Sequence, residues 1–137
     1  MSGETNLQQL LKTMKPELSD GDYVFCSVDS KGNIDQQKII GSFKEDEGIT
    51  IIIEKKWADE LRLSYSFVAA WITLTVHSSL QAVGLTAAFA AALAKENISC
   101  NVVAAFYHDH IFVNKDDAAK AMHILKSLST EATVRSS

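Results

Sequence analysis

The sequence predicts an α+β protein with helices laid against an antiparallel sheet, and three observations predict it. Short runs of β-branched and aromatic residues, such as 22–28 (DYVFCSV) and 49–53 (ITIII), alternate with stretches of helical spacing. Clusters of Gly, Asn and Asp separate these runs at short intervals. Residues 71–113, WITLTVHSSLQAVGLTAAFAAALAKENISCNVVAAFYHDHIFV, read as strand, loop, helix, strand, tight turn, strand.

Taken in order, residues 5–14 form an amphipathic helix with Leu7, Leu10, Leu11 and Met14 on one face. Thr5 or Asn6 caps its start and Pro16 marks its end. Ser19-Asp20-Gly21 is a turn before the strand 22–28, and Asp29-Ser30-Lys31-Gly32-Asn33 is a solvated turn after it. Residues 34–43 read as a loop leading into a short strand around 39–43. Glu45–Gly48 is an acidic turn, 49–53 a buried strand, and Trp57, Ala58 and Leu61 suit a short helix. Lys44–Glu47 and Lys55-Lys56 are expected in solvent. No Pro-, Gly- or Ser-rich linker follows, so the lobes 1–62 and 63–137 are expected to pack together.

In the second lobe, strand 71–77 turns Ile72, Leu74 and Val76 one way and Trp71, Thr73, Thr75 and His77 the other. Ser78 and Gln81 make a capping box for a helix running to about Lys95, with Gly84 inside it. That helix is rich in alanine and almost without a polar face. It is therefore expected to be covered on more than one side, by the first lobe or by a second subunit. Asn97 ends it. Residues 100–107 form a strand, His108-Asp109 a tight turn, and 110–113 the returning strand. Asn114 caps a last helix, 115–128, with Ala118, Ala121, Met122, Leu125 and Leu128 as its apolar stripe. The tail adds an edge strand at 132–135 or frays.

The second lobe is thus β-α-β-β-α, the core of a ferredoxin-like plait, and the first repeats the same pieces in degenerate form. Right-handed crossover makes the first two strands parallel and sets the third antiparallel beside the first. His77, the start of the helix near Ser79, and the His108-Asp109-His110 turn then meet at one edge of the sheet.

A net charge of −4 leaves no basic footprint for nucleic acid. No apolar run is long enough to span a membrane, and the N-terminus lacks the apolar core of a signal peptide. Cys26 and Cys100 lie in apolar runs without metal-site spacing, which predicts two reduced, buried thiols in a cytoplasmic protein.

The strings EDEGITIII, SYSFVAAWITLTVHSSLQAVGLTAAFAAAL and ISCNVVAAFYHDHIFV carry a resemblance. Over residues 7–128, and most specifically at TVHSSL-AVGLTA and YHDH, the chain resembles a bacterial family of small stand-alone proteins with tandem ACT-like domains. The resemblance implies two ACT-type lobes and a regulatory protein that binds an amino acid or related metabolite. In such domains the ligand is held by the loop after the first strand and the start of the next helix. Carried over, that region is His77, Ser78, Ser79, Leu80, Val83 and Gly84, with Ser78-Ser79 standing where such loops typically carry a glycine.

The residues themselves support a polar site at this edge. Free N–H groups at a helix start favour a carboxylate, and the two serines add hydroxyl donors. Tyr107, His108, Asp109 and His110 join the candidate ligand-binding set, although Tyr107, Trp57 and Trp71 equally suit core or interface filling. His77, His108 and His110 with Asp109 also allow a metal site or acid/base groups, the alternative reading. No nucleophile motif or phosphate loop accompanies them. The expectation is a non-enzymatic, cytoplasmic homodimer that binds a small molecule, with no cofactor, no bound metal, no nucleic acid and no membrane. A purely structural dimerisation module is the third reading.

Overall fold

The computed structural model describes residues 3–75 and 84–135. The chain divides into two compact units, Asp20–Ala70 and Met1–Ser19 together with Trp71–Ser137. The elements in chain order are α1 (Gly3–Thr13), β1 (Lys15–Leu18), β2 (Tyr23–Val28), β3 (Ile39–Lys44), β4 (Ile49–Glu54), α2 (Lys55–Glu60), β5 (Val68–Thr75), α3 (Leu85–Lys95), β6 (Cys100–Ala104), β7 (Asp109–Asn114) and α4 (Ala118–Arg135).

Within Asp20–Ala70, β2 pairs antiparallel with β4 and, through Tyr23 and Val24, with Ala69 and Val68 of β5. β3 pairs antiparallel with β4 on the outside. This is the ferredoxin-like arrangement, with the first strand between the third and fourth and the second at the edge. Its first helix is missing. Residues 29–38 replace it with a loop and a single 3-10 turn, Gln36–Lys38, which Asp35 caps by accepting from Gln37 N. Ile34 from this loop fills the core with Val24, Cys26, Ile51, Ile53 and Ala58. Lys44–Glu47 are exposed, as expected, and the turn closes with Glu45 N donating to Gly48 O at 2.9 Å.

In the other unit the same order appears with β5 as first strand, β6 second and β7 third. The fourth strand is β1, from the opposite end of the chain, paired antiparallel to β5 from Lys15↔Thr75 to Leu18↔Ile72. Sequence reading passed over β1 because four residues containing Pro and two charges carry no strand signal. Pro16 is tolerated there because an edge strand does not need its N–H. Ile72 and Leu74 are fully buried, while Trp71, Thr73 and Thr75 alternate to a half-buried outer face, as the alternation predicted. The core adds Leu85, Phe89 and Leu93 of α3, Ile111 and Val113 of β7, and Ala121 and Leu125 of α4. Leu11 and Met14 are buried too, and α1 is tied to α4 by Ser129 Oγ donating to Lys12 O at 3.2 Å.

Several local expectations change. α1 begins at Gly3, so Thr5 and Asn6 lie inside it and do not cap it. α3 begins at Leu85 after Gly84, whose φ of 91° is left-handed and cannot continue a helix, so Gly84 is the N-cap rather than an interior residue. Gln81, Ser78 and the expected capping box lie outside the described residues. α3 buries one face only, and Ala87, Ala91 and Ala94 are exposed. Alanine's helix propensity suits the composition, and within one chain this face is left uncovered. Asn114 does cap the following turn, its Oδ1 accepting from Asp116 N at 2.9 Å. The last helix continues to Arg135, so the tail through that residue is neither a strand nor frayed. Ala132 is buried and extends the apolar stripe by a turn, which is what holds the polar tail helical.

Candidate functional site

The β6–β7 hairpin turns earlier in the chain, and through a wider turn, than the sequence suggests. Cys100↔Val113 through Ala104↔Asp109 are paired, and Ala105 N donates to His108 O at 3.0 Å. The turn is therefore 105–108, with Phe106 and Tyr107 at its tip, each 77% exposed. Contrary to the sequence expectation, His108-Asp109 is not the turn, because β7 starts at Asp109. Tyr107 fills no core; it packs edge-on against Phe106 with ring centroids 4.9 Å apart.

Alternation along β7 puts His108, His110 and Phe112 on the outer face with Trp71 and Thr73 of β5. Trp71 stacks on Phe112 with centroids 6.1 Å apart, and Thr73 Oγ1 lies 3.1 Å from His110 Nδ1. These contacts run β5 and β7 in opposite directions, as the crossover argument required. Thr75 at the end of β5 and His108 at the hairpin accordingly fall at the same edge of this unit's sheet.

His110 is the best-defined polar group here. Trp71 Nε1–H donates to His110 Nδ1 at 3.0 Å, so that nitrogen acts as acceptor and the ring proton sits on Nε2. Burial lowers its pKa below 6.5, His108 lowers it further, and Asp109 partly opposes both. His110 is thus a neutral imidazole of fixed tautomer at pH 7. Asp109 does not orient it; Trp71 and Thr73 do. Burial raises the Asp109 carboxyl above its ordinary value, with His110 pulling the other way. His108 Nδ1 is buried and has no hydrogen-bond partner among the described residues, and its ring lies 6.4 Å from that of His110.

This arrangement can present a neutral N–H donor beside an aromatic floor. It makes a poor general base, since the Nδ1 lone pair facing the Thr73 hydroxyl is already claimed by Trp71. Among the described residues no group of three His, Cys, Asp or Glu side chains could hold a metal ion. Of the other residues expected at the site, His77, Ser78, Ser79, Leu80 and Val83 lie outside the described residues, and Gly84 caps α3. Sequence reasoning missed Trp71 and Thr73 as the pair that sets the His110 ring. Strand alternation had placed them on His77's face, but only the β5–β7 pairing joins residues 39 positions apart.

Comparison with known proteins decides the family. An ACT domain model matches residues 2–70 and a second ACT domain model matches residues 66–127. The chain belongs to the ACT domain family. ACT domains are regulatory rather than catalytic, and membership gives this chain a ligand-binding regulatory role in general terms. Among solved structures, a Vibrio cholerae protein of unknown function, described as a possible transport protein, is 46% identical. It covers 93% of this ACT protein and 99% of its own chain with a TM-score of 0.83. Clostridium acetobutylicum aspartate kinase, an allosteric enzyme, shares the fold at 10% identity and TM-score 0.57, matching 84% of this chain and 34% of its own. A candidate C-terminal regulatory domain of aspartate kinase from Porphyromonas gingivalis is 16% identical at TM-score 0.55, over 83% of this chain and 95% of its own. No curated protein matches the sequence.

Proposed function

We propose that this ACT protein binds an amino acid or a closely related metabolite and passes its binding on to a partner as a shift between states. The observation that carries the reading is His110, a neutral donor of fixed tautomer at the sheet edge where β5 ends. A ligand carboxylate accepts from Nε2–H without the cost of burying a second charge. Residues 76–83 follow directly on β5, so His77, Ser78, Ser79, Leu80 and Val83 join Gly84, Tyr107, His108, Asp109 and His110 in the proposed site. A neutral histidine whose Nδ1 is already engaged favours recognition over acid/base chemistry, and we propose that the chain is not itself an enzyme.

We further propose a cytoplasmic homodimer. The exposed Ala87, Ala91 and Ala94 face of α3 supports self-association, because small side chains allow close helix approach. No helix among the described residues is long and apolar enough to cross a membrane.

A thermal-shift screen of the twenty amino acids, with divalent metals in parallel, tests the reading. A ligand at about 100 times its Kd stabilises by roughly 2.7 kcal/mol. That is a shift of several degrees for a chain of this size. The shift should vanish in His110→Phe, which keeps the ring but removes both nitrogens. A panel flat for amino acids, or a response unchanged in His110→Phe, overturns the proposal.

A further inference from the structure

Two side chains of β5 reach the same nitrogen of His110. Trp71 Nε1 lies 3.0 Å from Nδ1, and Thr73 Oγ1 lies 3.1 Å from it. In the neutral ring Nδ1 offers a single lone pair, and in the charged ring a single proton, so it serves one of these partners at a time. The two neighbours differ in what they can do. An indole N–H only donates, whereas a hydroxyl donates or accepts. The neutral ring therefore suits Trp71. The charged ring carries N–H on both nitrogens and keeps no acceptor, so no ring flip restores the bond to Trp71. Thr73 Oγ1 is then an acceptor already within reach.

The groups around the ring are few. The hairpin contributes Asp109 beside it and His108, whose ring lies 6.4 Å away. β6 sets Val103 opposite His110 and Asn101 opposite Phe112, and neither titrates. β5 contributes Trp71 and Thr73, which do not titrate in this range either. One strand further out, β1 carries Glu17 opposite Thr73 and Lys15 opposite Thr75. Trp71 also has a second role. Its indole stacks on Phe112, with planes 19° apart, and Phe112 is only 1% exposed. The ring that the histidine holds thus packs against a buried side chain of the sheet's outer face.

We infer that His110 is the pivot of a pH-sensitive switch, in which protonation moves its Nδ1 bond from Trp71 to Thr73 and releases the indole. The proton enters at Nδ1 as Trp71 leaves it, and the new N–H donates to Thr73 Oγ1. No backbone shift is required, because both partners already stand at hydrogen-bond distance. Burial and His108 place the change below the ordinary histidine value of 6.5, and Asp109 works against them. Above the transition the indole is fixed between His110 and Phe112. Below it the indole is free to swing, and the outer face of β5 and β7 is remodelled. The switch is built into the chain and does not rest on the ligand reading.

The test is a proton NMR titration of the full chain from about pH 7.5 to about pH 4, which spans the ordinary histidine range. The indole N–H resonance of Trp71 should move upfield as its bond is lost, with the same midpoint as the ring protons of His110. The indole of Trp57, in the other unit, should not follow that midpoint. Thr73→Val removes the acceptor for the charged ring and should lower the His110 midpoint by roughly 0.5–1 pH unit, and Thr73→Ser, which keeps the hydroxyl, should restore it. Asp109→Asn should leave the Trp71 transition present, and His110→Gln should abolish it. The inference is overturned by a Trp71 resonance that holds still while His110 titrates, or by a Trp71 transition that persists in His110→Gln. It is overturned as well by a His110 ring still neutral at about pH 4, or by a Thr73→Ser midpoint as low as that of Thr73→Val. No ligand is added, so failure here leaves the binding proposal standing, and a flat amino-acid panel leaves the switch standing.

Discussion

At His110 burial and an indole N–H act on the same ring. Protonating Nδ1 would set two donors against each other, and burial penalises the charged ring as well. The folded pKa is therefore below the ordinary 6.5. The unfolded chain takes up this proton first, so the contribution of His110 to stability is complete above pH 6.5. It is lost as pH falls through the lower folded value. An NMR pH titration should show His110 at that lower value, and Trp71→Phe should move it upward by removing the donor. An unchanged value in Trp71→Phe would mean that burial and the neighbouring His108 set it without the indole. Cys100 offers a second check. Burial raises its thiol from 9.0 to about 11, so its thiolate fraction near pH 8 is about 100-fold below that of a thiol at 9.0. Alkylation of Cys100 should be slower by about that factor, as followed by mass spectrometry. Both cysteines are free in the structure, as expected, and Cys26 is buried whereas Cys100 is only partly so.

At the scale of the element, left-handed residues mark where helices stop and start. Gly84 begins α3 with φ 91°, and a Cβ there would sit 3.3 Å from Leu7 Cδ2. Gly84→Ala should cost roughly 1–2 kcal/mol in urea unfolding. Arg62 and Asn97 hold the same conformation just past α2 and α3, with φ of 59° and 62°. Leu63 N donates to Ala58 O and Ile98 N to Leu93 O, each at or near 3 Å, which are the bonds of a left-handed helix stop. Arg62→Gly should stabilise the protein by about 0.5–1 kcal/mol. A destabilisation would show that the arginine side chain contributes something its backbone does not reveal. Asn97 was legible as a stop because Asn tolerates this conformation; Arg62 was not, because Arg gives no such signal. Likewise β2, β4, α1 and α2 were readable from local periodicity, whereas Phe106 and Tyr107 read as strand and proved to be a turn. Aromatic β-propensity is a statement about packing on a half-buried surface, and at a hairpin tip there is no such surface.

At the scale of the molecule, the N-terminus completes a unit whose other strands begin more than 50 residues later, since β1 and β5 start at 15 and 68. Deleting residues 1–19 removes that fourth strand, α1 and the buried Leu11 and Met14. Such a chain should lose cooperative thermal unfolding of the Trp71–Ser137 segment, measured by circular dichroism and amide exchange. Retained protection in β5 and β7 would show that β1 is dispensable. The sequence by itself determined most of the strands and helices, the ferredoxin-like order of the second lobe and the outer face of β5. Those follow from side-chain periodicity, turn chemistry and crossover handedness, which act over a few residues or apply to every plait. Only the tertiary structure decided that β1 closes the sheet, that Trp71 sets the His110 tautomer, and that Thr73 lies within reach of the same nitrogen. Each of these depends on which distant segments meet and in what register. That choice is made by the joint packing of the whole core, which no local stretch of sequence encodes.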